Sequence, residues 1–134
     1  MKLKICIVLA NYYPKISKDL LRGSIKVLKK NKFNFKLFYA PGVFEIPVII
    51  SKKIKTFDAF IALGCVIKGQ TPHFHFISKA TTNAIMDLSI NHKKPIGNGI
   101  ITCLNMKQAI RRANPKGKNK GAEAANAILK VLEV

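Results

Sequence analysis

Phe57-Asp58-Ala59-Phe60-Ile61-Ala62-Leu63-Gly64-Cys65-Val66 is the stretch on which the fold turns. It is an almost continuous apolar run, too short for a membrane span, which takes roughly 20 apolar residues. A strand with one face in water alternates apolar and polar side chains. An unbroken apolar run reads instead as a strand buried on both faces, the situation in a parallel sheet covered by helices. Residues 68–73, Lys-Gly-Gln-Thr-Pro-His, then read as a loop feeding a helix, with Thr71 as N-cap and Pro72 as first helical residue.

Working outward, the same alternation recurs. Residues 5–9, Ile-Cys-Ile-Val-Leu, read as a first buried strand, 11–14 as a loop, and from Ser17 the apolar residues Leu20, Leu21, Ile25 and Leu28 fall at helical spacing. Residues 33–39 are strand-like, Ala40-Pro41-Gly42 breaks them, and 43–55 read as a helix with Pro47 tolerated in its first turn. After the central strand, Ile77, Ala80, Ala84, Ile85 and Leu88 carry a long helix, and 95–103 form a glycine-bearing fourth strand. Asn105 caps a short helix over 106–113, 114–119 are a basic turn, and 121–134 an alanine-rich closing helix. The pattern predicts an α/β fold: one domain over 1–134, a three-layer α/β/α sandwich around a four-stranded parallel sheet. Ligands of such sheets bind beyond the strand C-termini. Three loops therefore matter, 10–16, 40–45 and 66–73.

Composition narrows the classes. The N-terminus lacks a signal-peptide layout, since the short apolar stretch runs into Asn11-Tyr12-Tyr13-Pro14 rather than a small-residue cleavage site; a cytoplasmic protein is expected. Cys6, Cys65 and Cys103 each sit in an apolar run at no metal-binding spacing, so they read as buried hydrophobes, and no metal site is expected. Twenty-four Lys and Arg against six acids give +18. Nucleic acid is the reflex partner for such charge. Yet the lysines are scattered over polar helix positions (Lys18, Lys26, Lys29, Lys30, Lys52, Lys53 among them) and far outnumber arginine, the residue that reads bases bidentately. No nucleic-acid partner is expected, and no membrane partner, because the closing helix is too alanine-rich and weakly charged for a lipid surface.

Chemistry concentrates in the loops. Gly64 and Gly69 would let backbone approach a ligand, and Gln70 and Thr71 open a helix whose free amides attract an anion. His73 lies in the first turn, where the dipole disfavours the imidazolium and a neutral base is favoured; a structural histidine is the plain alternative. Glu45 begins the second helix, either as a dipole partner or as an acceptor for hydroxyls. Tyr12 lies past the first strand end, poised to stack on a planar ring or to pack on the rim. Arg112 ends the short helix; a guanidinium suits phosphate and also a helix C-terminus. Lys118 and Lys120 add charge nearby.

Taken together, the segments Ala62-Leu63-Gly64-Cys65-Val66-Ile67-Lys68-Gly69-Gln70-Thr71-Pro72-His73-Phe74, Pro41-Gly42-Val43-Phe44-Glu45-Ile46-Pro47, Gln108-Ala109-Ile110-Arg111-Arg112-Ala113 and Asn119-Lys120-Gly121-Ala122-Glu123-Ala124-Ala125 resemble, in order and spacing, the lumazine synthase family, from Lys4 to Val134. The resemblance implies a flavodoxin-like fold and a transferase of riboflavin biosynthesis. That enzyme condenses 5-amino-6-(D-ribitylamino)uracil with 3,4-dihydroxy-2-butanone 4-phosphate to 6,7-dimethyl-8-ribityllumazine, with release of phosphate and water. It implies no cofactor, because the substrates bring nucleophile, carbonyl and leaving group, and a product passed on to riboflavin synthase.

The roles implied are these. Tyr12, where most relatives have Phe or Trp, stacks on the pyrimidine. Val43, Phe44 and Glu45 line the ribityl chain; Cys65, Val66 and Ile67 meet the pyrimidine edge through backbone. Gln70 and Thr71 hold the phosphate, and His73 shuttles protons. Asn98 and Arg112 come from a neighbouring subunit, with Arg112 on the phosphate and Lys120 assisting. The resemblance also implies a homopentamer, open to stacking into a decamer. The sixtyfold capsid of part of the family is less expected, because the chain starts almost at its first strand. His75 and Arg111 stand where relatives often carry acids. Two rivals remain at this stage: a same-fold ligand-binding protein of the riboflavin pathway with little catalysis, and a basic nucleic-acid-binding module.

Overall fold

Buried apolar strands need partners on both edges and cover on both faces, and that requirement organises the chain. The computed structural model describes residues 2–134; Met1, the first residue of the N-terminal stretch read above, lies outside the described residues. The elements run β1 (Ile5–Ala10), α1 (Pro14–Lys30), β2 (Phe35–Ala40), a 3₁₀ turn (Val43–Glu45), α2 (Ile46–Lys53), β3 (Ala59–Ile67), α3 (His73–His92), β4 (Ile96–Cys103), α4 (Met106–Arg112) and α5 (Lys120–Leu132). The strands form one sheet in the order β2-β1-β3-β4, and every pairing is parallel. This is the flavodoxin-like order, with its switch point between β1 and β3.

Side-chain alternation along the strands separates the two cores. Ile5, Ile7 and Leu9 of β1 and Ile61, Leu63 and Cys65 of β3 join Leu20 and Leu28 of α1, Ala109 of α4 and Ala125 and Ile128 of α5. The intervening Cys6, Val8, Phe60 and Ala62 point to the other face, against Ile46 and Ile50 of α2 and Ile85 of α3. The sheet is thus sandwiched between α1/α4/α5 and α2/α3. Burial on both faces is what the unbroken apolar runs encoded.

Several boundaries differ from the sequence expectation. α1 starts at Pro14, which takes a first-turn position, so the loop after β1 shrinks to three residues. Ser17, expected to open that helix, is buried within it and donates to the carbonyl oxygen of Ala10 at 2.9 Å. The expected helix 43–55 divides into a 3₁₀ turn and a shorter α-helix; Pro47, with no N–H to give, sits where the α-helix begins. At α3 the cap position belongs to Pro72 rather than Thr71, with φ near −70° and ψ near 2°. Thr71 Oγ1 still lies 3.4 Å from the His73 amide.

Asn119, read only as part of a basic turn, is a buried anchor. Its side chain caps α5 by accepting from the Ala122 amide at 2.9 Å, and donates to the carbonyl oxygens of Asp19 and Ala113, both at 3.0 Å. A Cβ at Gly23 of α1 would collide with this side chain, so the glycine is what admits it. No helix of the described residues is long and apolar enough to cross a membrane.

Candidate active site

The C-terminal ends of β1 and β3 and the turn after β2 enclose a cavity of about 450 Å³, lined by Tyr12, Tyr13, Gly42, Val43, Phe44, Glu45, Cys65, Val66, Ile67, His73 and Ile77. It lies at the switch point, where splayed connections leave a crevice above the strand ends. Eight of the residues singled out in the sequence meet here.

Each wall has a local cause. Tyr12 and Tyr13 occupy the short loop before Pro14. Their rings meet edge to face, 5.0 Å between centroids at 81°, and Tyr12 keeps 70 % of its surface exposed. Tyr13 braces Tyr12 from below and packs on the α1-side core. Across the cavity, Gly64 lets the turn after β2 close in, since a Cβ there would sit 2.8 Å from Val43 Cγ2. Gly64 therefore makes room for protein, not for ligand as expected; at Gly69 the space is open. Val43 is buried by this approach, which leaves Phe44 exposed and Glu45 at the cavity wall.

Burial sets the protonation of the floor. The Cys65 thiol is pushed up to about 12 by desolvation, with neighbouring Cys103 adding to it. It is neutral at any physiological pH, a small apolar wall rather than a nucleophile. The Tyr13 phenol is likewise raised, chiefly by burial. His73 begins α3 and faces the cavity together with Ile77, one helical turn on.

A second pocket, of about 340 Å³, is built on the outer strand β4 by Ile100, Ile101, Thr102, Arg112, Lys118, Lys120 and Glu123. Arg112 reaches back from the end of α4 and donates through Nη1 to the carbonyl oxygen of Thr102 at 3.0 Å, with Cys103 Sγ 3.9 Å away. Lys120 Nζ lies 3.6 Å from the Glu123 carboxylate. This pocket shares no lining residue with the first. Within one chain, Arg112 and Lys120 stand apart from His73.

Gln70, Thr71 and Asn98 line neither pocket. Gln70 and Thr71 are exposed ahead of α3; Asn98 is exposed on β4 and its Oδ1 accepts from the Ile100 amide at 3.0 Å. The sequence reading passed over Tyr13, Ile77, Thr102 and Glu123. Tyr13 adjoins Tyr12, Ile77 is four residues after His73 and Glu123 three after Lys120, so loop sharing and helical spacing were available signals.

Comparison with known proteins gives the family. The family model for 6,7-dimethyl-8-ribityllumazine synthase matches residues 2–134. A relative of that name from Bartonella bacilliformis is 44 % identical over 92 % of this chain and 84 % of its own length. 6,7-Dimethyl-8-ribityllumazine synthase 1 of Rhodopseudomonas palustris is 41 % identical over 98 % and 85 %, and the Buchnera aphidicola protein 40 % over 99 % and 87 %. With its parallel sheet in flavodoxin-like order and a full-length match of this kind, the chain belongs to the 6,7-dimethyl-8-ribityllumazine synthase family.

Proposed function

We propose that the protein condenses 5-amino-6-(D-ribitylamino)uracil with 3,4-dihydroxy-2-butanone 4-phosphate, forming 6,7-dimethyl-8-ribityllumazine, phosphate and water. The observation that carries this reading is the single cavity that gathers an exposed aromatic, Tyr12, a carboxylate, Glu45, and an imidazole, His73, between apolar walls. Planar rings, hydroxylated chains and proton transfers need those three groups respectively. In this reading the pyrimidine stacks on Tyr12 with its edge toward the backbone of Cys65, Val66 and Ile67. The ribityl chain runs along Val43 and Phe44 to Glu45.

The 5-amino group attacks the ketone and loses water to give an imine. Proton removal beside it then breaks the C–O bond to phosphate, and ring closure expels a second water. His73 shuttles the protons. Gln70 and Thr71 amides and a guanidinium stabilise the departing phosphate. Holding both substrates in register supplies much of the acceleration, since well-oriented pairs reach effective molarities of about 10⁵ M or more.

The phosphate-binding groups come from two copies of one domain that spans the chain. Arg112, Lys120 and Asn98 of one subunit complete the cavity of the next. Exposed apolar side chains support such packing: Phe76, Met86 and Ile90 on α3, and Leu104, Met106 and Ile110 at the end of β4 and along α4. Two unlike patches favour head-to-tail association, which closes into a ring. The ring in this reading is a pentamer, working in the cytoplasm and handing its product to riboflavin synthase. The test is turnover: purified protein given both substrates must release one phosphate for each lumazine formed. Binding of the pyrimidine without product would overturn the catalytic reading.

A further inference from the structure

Among the described residues the pocket on β4 holds three cations and one carboxylate: Arg112, Lys118, Lys120 and Glu123. The partners of the three cations differ. Arg112 is already committed to the Thr102 carbonyl, and Lys120 lies beside Glu123. Lys118 has no acidic partner within ion-pair distance among the described residues, and it is exposed. Its backbone is nevertheless held in place. The turn before it is closed by the amides of Lys116 and Gly117, which donate to Asn114 Oδ1 at 3.0 Å and to its carbonyl oxygen at 3.2 Å. The next residue is the buried Asn119, which bridges back to Ala113 and caps α5. A lysine on such a backbone keeps its Cα at the pocket before the ligand arrives, so that only the side chain remains to be ordered on binding.

We propose that Lys118 is a third phosphate-binding cation of this pocket and the one that matches it to a phosphate dianion. The proposal rests on the reading of the pocket as the phosphate clamp. Three cations against one carboxylate leave a net charge of +2, which complements a phosphate monoester carrying about −1.5 to −2 at neutral pH. Without Lys118 the net charge is +1, because Glu123 offsets one of the two remaining cations. Lys118 thus sets the preference between doubly and singly charged phosphate.

The test compares Lys118→Ala, Lys118→Arg and Arg112→Ala in steady-state kinetics, with inorganic phosphate as competing ligand. For Lys118→Ala the KM for the phosphorylated substrate and the inhibition constant of phosphate should rise about fivefold near pH 8, where the dianion dominates, and less near pH 6, where about half of a phosphate monoester is monoanion. The KM for the pyrimidine should hold, kcat should stay within about twofold, and Lys118→Arg should behave as the parent. Equal losses for both substrates would mean a structural role and overturn the proposal. Unchanged phosphate affinity in Lys118→Ala, with affinity lost in Arg112→Ala, would overturn Lys118 alone. Unchanged affinity in both variants would remove the clamp reading and this proposal together.

Discussion

Arg112 Nη1 donates to the carbonyl oxygen of Thr102 at 3.0 Å, tying the last turn of α4 to the outer strand. The bond fixes the plane of the guanidinium and leaves its other N–H groups free for a second acceptor. A fork of that kind recognises phosphate bidentately, which an ammonium cannot do. Arg112→Ala should therefore raise the KM for the phosphorylated substrate about tenfold or more, while Arg112→Lys should recover only part of the loss. Steady-state kinetics with each substrate varied in turn reads this out. A rise confined to the pyrimidine KM would refute it.

His73→Ala should lower kcat by about 10²-fold and leave both KM values close to the parent, because a proton shuttle acts between bound states. Residual turnover should persist, supplied by the juxtaposition of the two substrates. Unchanged kcat would remove His73 from the chemistry.

Asn119→Ala removes an N-cap and takes a donor from the buried carbonyl oxygen of Ala113 and the half-buried one of Asp19. The expected loss is about 3 kcal/mol, lowering Tm by roughly 10 °C at fixed protein concentration. Gly23→Ala should destabilise too, since the added methyl meets the same side chain. Thermal melts followed by circular dichroism measure both. An unaltered Tm for Asn119→Ala would contradict the anchoring role.

Burial pushes the thiols of Cys6 and Cys65 up to about 12 from an ordinary value of 9.0. The folded state thus keeps protons that the unfolded chain releases. Their contribution to stability is complete below pH 9.0, and is lost as pH rises from there toward about 12. Cys6→Ala should flatten the fall of Tm with alkaline pH relative to the parent. Both thiols should resist iodoacetamide in the native protein near pH 8 and react once it is unfolded. Rapid native alkylation of Cys65 would contradict its enclosure.

The fold was legible because burial on both faces leaves a strong mark. The apolar runs at Ile5 and Phe57 could only be inner strands, and the helices between them forced parallel pairing. The end of β1 and the turn at Gly42 could be placed from the same pattern, and with them Tyr12, Val43, Phe44 and Glu45. Helix ends were less legible. Pro14, Pro47 and Pro72 each accept either side of a boundary, and sequence does not say which. The role of Asn119 was hidden because its partners, Asp19 and Ala113, come from α1 and the end of α4. Gly64 was misassigned for a related reason: the atom that fills its space belongs to Val43, brought there by the sheet order.

The separation of His73 and Arg112 into different pockets of one chain makes subunit mixing the most direct measurement. His73→Ala and Arg112→Ala, each impaired alone when the phosphorylated substrate is kept well below its parent KM, are unfolded together in equal amounts, refolded and assayed at that concentration. If neighbouring copies share each site, random reassembly restores about a quarter of the sites to full complement, and activity rises far above either variant. Activity that stays at the average of the two variants, in an oligomer shown by its mass to contain both chains, would contradict a shared site.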